Sequence, residues 1–220
     1  MNTKGFIFDL DGVIVDTAKY HFLAWKKLAN SIGIDFTEKE NEQLKGVSRV
    51  KSLEKILEWG NKSVDQEEFT ELMALKNEDY LSYINKMTEA EILPGVKKIL
   101  DYLVENKIPI ALGSASKNAP VILKKVKLDT VFQTVVDGNS VTKAKPNPEV
   151  FLKAAEILQI SPKNCIVFED SLAGIKAAKL AGMKSIGIGD REVLYEADIV
   201  FKDFTEIPLS FIEKLINQTI

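Results

Sequence analysis

The stretch GFIFDLDGVIVDT, residues 5–17, decides the fold. Phe6, Ile7 and Phe8 form an apolar run that stops at Asp9, and a second acid, Asp11, comes after Leu10. A short apolar run without polar alternation reads as a parallel strand buried on both faces. Carboxylates at its end would stand at the carboxyl edge of the sheet, where open parallel sheets bind their ligands.

Working outward, the chain has two rhythms. From about Asp16 to Thr88 it reads as helix after helix, with no strand signal between them. TAKYHFLAWKKLANSIG places Phe22, Trp25, Leu28, Ala29 and Ile32 at helical spacing and stops at Gly33. RVKSLEKILEW and DQEEFTELMALKNEDYLSYINKM repeat the pattern, the latter with Phe69, Leu72, Met73, Tyr80, Leu81 and Ile84 as its apolar face. From Ile92 onward helices alternate with short apolar strands: IPIALG, TVFQTVVDG, NCIVFED, KSIGIG and ADIVF. That alternation predicts a parallel sheet covered on both faces. The expected fold is α/β: a doubly wound, Rossmann-like core of residues 1–15 and 93–220, with an all-helical cap domain, residues 16–92, inserted after the first strand. DGVIVDT and TEAEILPG would be the two connections.

Composition narrows the chemistry. The 220 residues are 45% hydrophobic, ample for a core, and the net charge of −3 comes from interleaved acids and lysines. No clustered basic face suggests a nucleic-acid partner. Cys165 is alone, so no internal disulfide or cysteine metal cage can form, and it reads as a buried strand residue. With one His, zinc chemistry is disfavoured and a hard, oxygen-preferring ion is favoured. No apolar run reaches the roughly 18 residues of a membrane span. An acid arrives too early in MNTKGFIFDLDG for a signal peptide. The expectation is a reduced, soluble, cytoplasmic monomer with no membrane or nucleic-acid partner.

The residues just beyond each strand are more specific. After the first come Asp9 and Asp11; after the second Ser114, Ala115, Ser116, Lys117 and Asn118; after the third Lys143 and Lys145; after the fourth Glu169, Asp170 and Ser171; after the fifth Asp190. Any one of these alone reads as a turn, a helix cap or an exposed loop residue. Together they put four acids, a hydroxyl and a lysine at one sheet edge. Two like charges about 4 Å apart repel by roughly 4 kcal/mol at an effective dielectric of 20, so the set calls for a cation. Oxygen donors with a partnering phosphate describe Mg²⁺.

These motifs resemble the haloacid dehalogenase superfamily of phosphoryl-transfer enzymes: DLDGV, Ser114, Lys145 in KPNP, and FEDSLAGI, in order along essentially the whole chain. The resemblance implies that Asp9 is the nucleophile, forming an aspartyl-phosphate, and Asp11 the general acid/base. Ser114 and Lys145 would hold the transferring phosphoryl group. Glu169 and Asp170, with Asp9 and the backbone carbonyl of Asp11, would bind Mg²⁺. The residue types suit the work, because a carboxylate can attack phosphorus and the charge of the transition state needs a cation and a lysine. Lys145 precedes Pro146, which biases its backbone to extended geometry, and Pro148 can open the next helix.

The helical insertion resembles the cap of the β-phosphoglucomutase branch through QLKGVSR, DTAKYHFLAW, Lys76 and SASKN. The implied substrate is a sugar phosphate, β-glucose 1-phosphate, converted to glucose 6-phosphate through β-glucose 1,6-bisphosphate. A mutase must grip a second phosphate far from the reacting end. Lys45, Gly46, Val47, Ser48 and Arg49 would face substrate from the cap, the Arg49 fork suiting phosphate, while Ala115, Ser116, Lys117 and Asn118 would close the clamp from the core. Gly46 would let backbone approach the sugar. His21 is either a helix residue packed beside Trp25 or, by the resemblance, a hinge residue coupling cap closure to Asp11. Thr17 reads equally as a hinge residue and as a helix cap. Lys76 is either solvated on a charged helix face or a substrate contact. A Mg²⁺-dependent sugar-phosphate phosphatase of the same superfamily is the alternative.

Overall fold

The structure, a computed structural model, describes residues 3–217. Six parallel strands form one sheet: β1 Gly5–Phe8, β2 Ile110–Gly113, β3 Thr134–Val136, β4 Cys165–Glu169, β5 Lys184–Ile188 and β6 Ile199–Phe201. Their order is β3-β2-β1-β4-β5-β6. The winding direction reverses beside β1, so β1 and β4 flank the switch point at which a doubly wound sheet opens a crevice. Phe8 stands in register with Leu112 on one side and Phe168 on the other, which aligns the carboxyl ends of β1, β2 and β4.

Alternation of side chains across the pleat sorts the core into two layers. Phe6, Phe8, Leu112, Ile166, Phe168 and Ile186 face one side, under α5 (Val96–Glu105), α6 (Ala119–Lys125) and α9 (Leu209–Asn217). Phe8 and Phe168 stack with ring centroids 4.8 Å apart. Ile7, Ala111, Cys165 and Val167 face the other side, under α7 (Glu149–Leu158) and α8 (Leu172–Leu180). Cys165 is buried there, and burial pushes its thiol up to about 11, which leaves it unreactive.

Between β1 and α5 lie α1 (Ala18–Ser31), α2 (Glu38–Glu42), α3 (Arg49–Trp59) and α4 (Gln66–Ile84). They enclose a separate apolar cluster that includes Trp25, Leu28, Phe36, Leu53, Ile56 and Leu72. The two connecting segments pair with each other: Val15 bridges Ile92, Asp16 N donates to Glu91 O, and Leu93 N donates to Ile14 O. A two-stranded ribbon therefore joins the helical layer to the sheet.

The structure differs from the sequence expectation in two places. The short helix α2 has its signal in TEKE, where Thr37 and Glu40 form a reciprocal capping box. The strand expected over TVFQTVVDG is only Thr134–Val136. It lies at the sheet edge and pairs with β2 alone, and the preceding Phe132 is drawn into the core instead.

Candidate active site

The carboxyl ends of β1 and β4 gather the acids that the sequence places after them. Asp9 extends the pairing by one residue, its N–H donating to Phe168 O at 3.0 Å. Lys145 arrives from the loop before α7, with Nζ 2.5 Å from Asp9 Oδ1 and 2.5 Å from Glu169 Oε1, and all three side chains are buried. The peptide bond between Lys145 and Pro146 is cis. Pro148 precedes α7 as its cap residue, and Glu149 holds the loop from behind by accepting bonds from Thr142 and Lys143 N–H groups. The second oxygen of Glu169 accepts from Ser171 N and Oγ. Asp170 lies against Gly12, whose φ of 79° and missing side chain admit it; a Cβ there would overlap the carboxylate.

Burial pushes Asp9 up to about 7, Lys145 pulling against it and Glu169 and Asp11 adding to the rise. Burial, then the charges of Glu169 and Asp9, push Asp170 well above the ordinary carboxylate range. Burial opposes the Lys145 charge, but Asp9 and Glu169 hold its ammonium above its ordinary value. One lysine thus fails to neutralise this group of carboxylates. Among the described residues no three Asp, Glu, His or Cys side chains form a ready-made metal cluster, and Lys145 stands between Asp9 and Glu169. An oxygen-only donor set carrying surplus negative charge nevertheless fits a hard divalent cation.

Asp11 sits two residues on, in a different environment. Thr17 Oγ1 donates a hydrogen bond to Asp11 Oδ1, and His21 Nε2 lies 3.8 Å from the same oxygen. Against burial, these groups hold Asp11 below the ordinary carboxylate range. Thr17 stands at the N-cap position of α1, but its side chain bonds Asp11 and makes no bond to the helix's first turn. His21 is not merely packed beside Trp25: its Nδ1 lies 3.0 Å from Lys76 Nζ. Lys76 is not solvated. It is 2% exposed, and its ammonium lies 4.7 Å from the Trp25 ring and 4.6 Å from the Tyr80 ring. Burial, with the Arg49 charge nearby, pushes it down to about 7. Burial and Lys76 push His21 down as well.

Between sheet edge and helices lies a cavity of about 580 Å³. Asp9, Asp11, Lys145 and Asp170 form its floor, and His21 and Lys76 belong to its wall. The segment from Lys45 to Arg49 supplies all five of its residues to the wall, and Ala115, Ser116, Lys117 and Asn118 supply the core side. Ser114, Thr17 and Glu169 stand just behind the surface, all fully buried. Ser114 Oγ accepts from Ser116 N at 3.0 Å and so shapes the loop in front of it. Ser48 caps α3 by accepting from Lys51 N, and Lys45 pairs with Glu42. Gly46, with φ of 70°, lines the cavity and also meets the core: a Cβ there would strike the Ser171 hydroxyl.

Four residues of this region escaped the sequence reading as site residues. Ser171 touches both Glu169 and the space above Gly46. Asn77 Oδ1 accepts from Asn118 Nδ2 at 3.1 Å, joining α4 to the core loop. Ser52 and Tyr80 line the cavity. The signal for Tyr80 was its place four residues after Lys76, one turn along the same helix face.

A family model described as haloacid dehalogenase-like hydrolase matches residues 6–188. The chain is 44% identical to a β-phosphoglucomutase of Bacillus subtilis over 96% of its own length and 94% of that protein's. A crystal structure of a β-phosphoglucomutase from Clostridium difficile has a TM-score of 0.93 at 43% identity, covering 98% of this chain and 97% of that one. A phosphorylated carbohydrates phosphatase of Thermotoga maritima is 30% identical over 88% of this chain and 91% of its own.

Proposed function

This chain belongs to the haloacid dehalogenase-like hydrolase family, and we propose that it acts as a β-phosphoglucomutase, interconverting β-D-glucose 1-phosphate and glucose 6-phosphate through β-glucose 1,6-bisphosphate. The observation that carries this reading is one cavity that brings the Asp9 carboxylate group together with cations from both the cap and the core. Asp9, Asp11 and Lys145 stand at the sheet edge, while Arg49 of the cap and Lys117 and Asn118 of the core belong to the same wall. A mutase needs cations for the phosphate it keeps as well as for the one it moves, a demand that a phosphatase lacks.

In this reading residues 16–92 are the cap and residues 1–15 and 93–220 the catalytic core. Asp9 attacks phosphorus and carries the phosphoryl group as a mixed anhydride. Lys145 and Ser114 hold the transferring oxygens. Asp11 moves the proton to or from the sugar oxygen, and its lowered pKa beside the raised one of Asp9 is how two neighbouring carboxyls take different roles. Asp9, Asp170 and the main-chain carbonyl of Asp11 would hold Mg²⁺, with Glu169 contributing charge and fixing Lys145, and the ion supplies charge neutralisation to the phosphoryl oxygens when bound. The cap loop seated at Ser171 keeps water from the phosphorylated Asp9. Arg49 grips the far phosphate by a planar fork, and Lys76 adds charge at the sugar. The chain acts as a monomer in the cytoplasm; among the described residues no helix is long and apolar enough to cross a membrane.

The test supplies β-glucose 1-phosphate, Mg²⁺ and a trace of β-glucose 1,6-bisphosphate. Glucose 6-phosphate should form faster than inorganic phosphate is released. The reverse order would favour the sugar-phosphate phosphatase, the reading to which the Thermotoga relative lends support.

A further inference from the structure

The pairing between β2 and β3 does not stop where the strands do. Ser114 N donates to Val136 O at 2.9 Å, and Gly138 N then donates to Ser116 O at 3.2 Å. One residue further on, a side chain takes over from the backbone: Asn139 Nδ2 donates to Lys117 O at 3.0 Å. The loop that carries Ala115, Ser116, Lys117 and Asn118 is thus braced by residues 137–139. The mechanism above uses none of those three.

The brace is itself anchored. Asn139 Nδ2 also donates to Asp137 Oδ2 at 3.0 Å. Both partners of this amide are acceptors, so its nitrogen must face them, one N–H for each. Asp137 is buried, and its other oxygen accepts from Asn139 N at 2.9 Å, Ser140 N at 3.1 Å and Ser140 Oγ at 2.9 Å. From α7, Lys153 Nζ donates to Ser140 O at 2.6 Å and holds the end of the turn. Gly138 leaves no slack on the facing side: a Cβ there would stand 2.4 Å from Ala115 O and 3.0 Å from Lys117 Cγ. Lys117 lines the cavity, whereas Asn139 is exposed outside it.

We propose that Asn139 is a positioning residue for Lys117. Its amide ties the Lys117 carbonyl to the buried Asp137 carboxylate, and so fixes the backbone from which the Lys117 ammonium serves the cavity. A lysine is a point charge on a flexible stem, so the place of its backbone is the part of its geometry that the fold controls. A loop already held in place spares the ordering cost that binding would otherwise bear. This inference rests on the assignment above of Lys117 to a second phosphate of the substrate, but not on the choice between sugar and water as phosphoryl acceptor.

The test measures binding of β-glucose 1,6-bisphosphate by titration calorimetry, in Mg²⁺-loaded protein carrying Asp9→Asn so that phosphoryl transfer is blocked. Adding Asn139→Ala should weaken binding about fivefold to tenfold. Gly138→Ala, which presses on the Ala115 carbonyl, should act in the same direction, and Lys117→Ala should weaken binding further. On the Lys117→Ala background, Asn139→Ala should change the affinity by less than about 1.5-fold. With Asp9 intact, Asn139→Ala should leave 4-nitrophenyl phosphate turnover within about twofold, because that substrate carries only the phosphate that is transferred. Unchanged bisphosphate binding in Asn139→Ala, a loss that adds to that of Lys117→Ala, or an equal loss with 4-nitrophenyl phosphate would overturn the proposal. Normal bisphosphate binding by Lys117→Ala would overturn the phosphate role of Lys117, and the proposal with it. The mutase reading is decided separately, by glucose 6-phosphate against inorganic phosphate in the wild-type protein. The bisphosphate presents a second phosphate under either reading, so the binding test stands in both cases.

Discussion

Lys76 Nζ lies 3.0 Å from His21 Nδ1, and among the described residues no carboxylate pairs with it. Two basic groups face each other in the wall of a cavity, with the Trp25 and Tyr80 rings beside Lys76 and the Asp11 carboxylate beyond His21. Such an arrangement is costly in the free protein and becomes favourable when an anion enters.

The stability consequence has a definite sign. The Lys76 pKa is lowered from 10.5 to about 7, so between these values the unfolded chain binds a proton that the folded chain does not. Stability therefore rises with pH across that window, by up to about 1.4 kcal/mol per pH unit. Lys76→Met should raise the thermal midpoint at pH 7, and the gain should shrink toward pH 10. Scanning calorimetry of both proteins across that range checks it.

The same group should report on substrate. A sugar phosphate beside Lys76 favours its charged form, so binding at pH 8 should take up a proton. Titration calorimetry in two buffers of different ionisation heat measures the uptake, and Lys76→Met should abolish it while weakening binding by about tenfold or more.

Lys145 is the reverse case, a buried cation with two carboxylates at 2.5 Å. Removing it leaves Asp9 and Glu169 facing each other uncompensated. Lys145→Ala should abolish turnover and lower stability by about 3–5 kcal/mol at neutral pH, read from urea unfolding. Lowering the pH should narrow the difference, because protonating either acid removes the repulsion. A Lys145→Ala protein as stable as wild type would disprove this reading of the pair.

Gly46 and Ser171 mark where the helical layer meets the core. Gly46→Val adds a branched side chain at a φ of 70° and into the Ser171 hydroxyl, so the loop cannot seat as it does here. With the seat lost, water reaches phosphorylated Asp9. The ratio of inorganic phosphate to glucose 6-phosphate should rise about tenfold, while the folding stability changes by only about 1–2 kcal/mol.

Arg49 distinguishes the two reactions. Arg49→Ala should leave hydrolysis of 4-nitrophenyl phosphate within about threefold of wild type and reduce mutase turnover by about 100-fold or more. Equal losses on both substrates would make Arg49 structural. Asp9→Asn, by contrast, should abolish both reactions, and no phosphorylated protein should be detectable by mass spectrometry.

Much of this protein was legible in its residues. Apolar runs ending in Asp9, Ser114 and Glu169–Asp170 are local signals: a strand buried on both faces must be apolar, and a parallel sheet sends every strand's carboxyl end to one edge. The run of helices after β1 was legible in the change of period, while the pairing of the two connecting segments was not. The capping box before α2 is a local signal too, carried by Thr37 and Glu40. What the sequence could not decide was which of several chemically reasonable partners each side chain would meet. Thr17 had a helix to cap and bonds Asp11 instead. Lys76 lay among charged neighbours along its helix, yet α1 and α4 pack so that Trp25 and Tyr80 close over it. Gly46 meets Ser171, which lies far along the chain on the other side of the cleft. Period and motif arise from neighbours along the chain, so sequence alone determined the fold and the order of the chemistry. Burial, charge and hydrogen-bond partnership arise from neighbours in space, and only the seating of the helical layer on the sheet decided those.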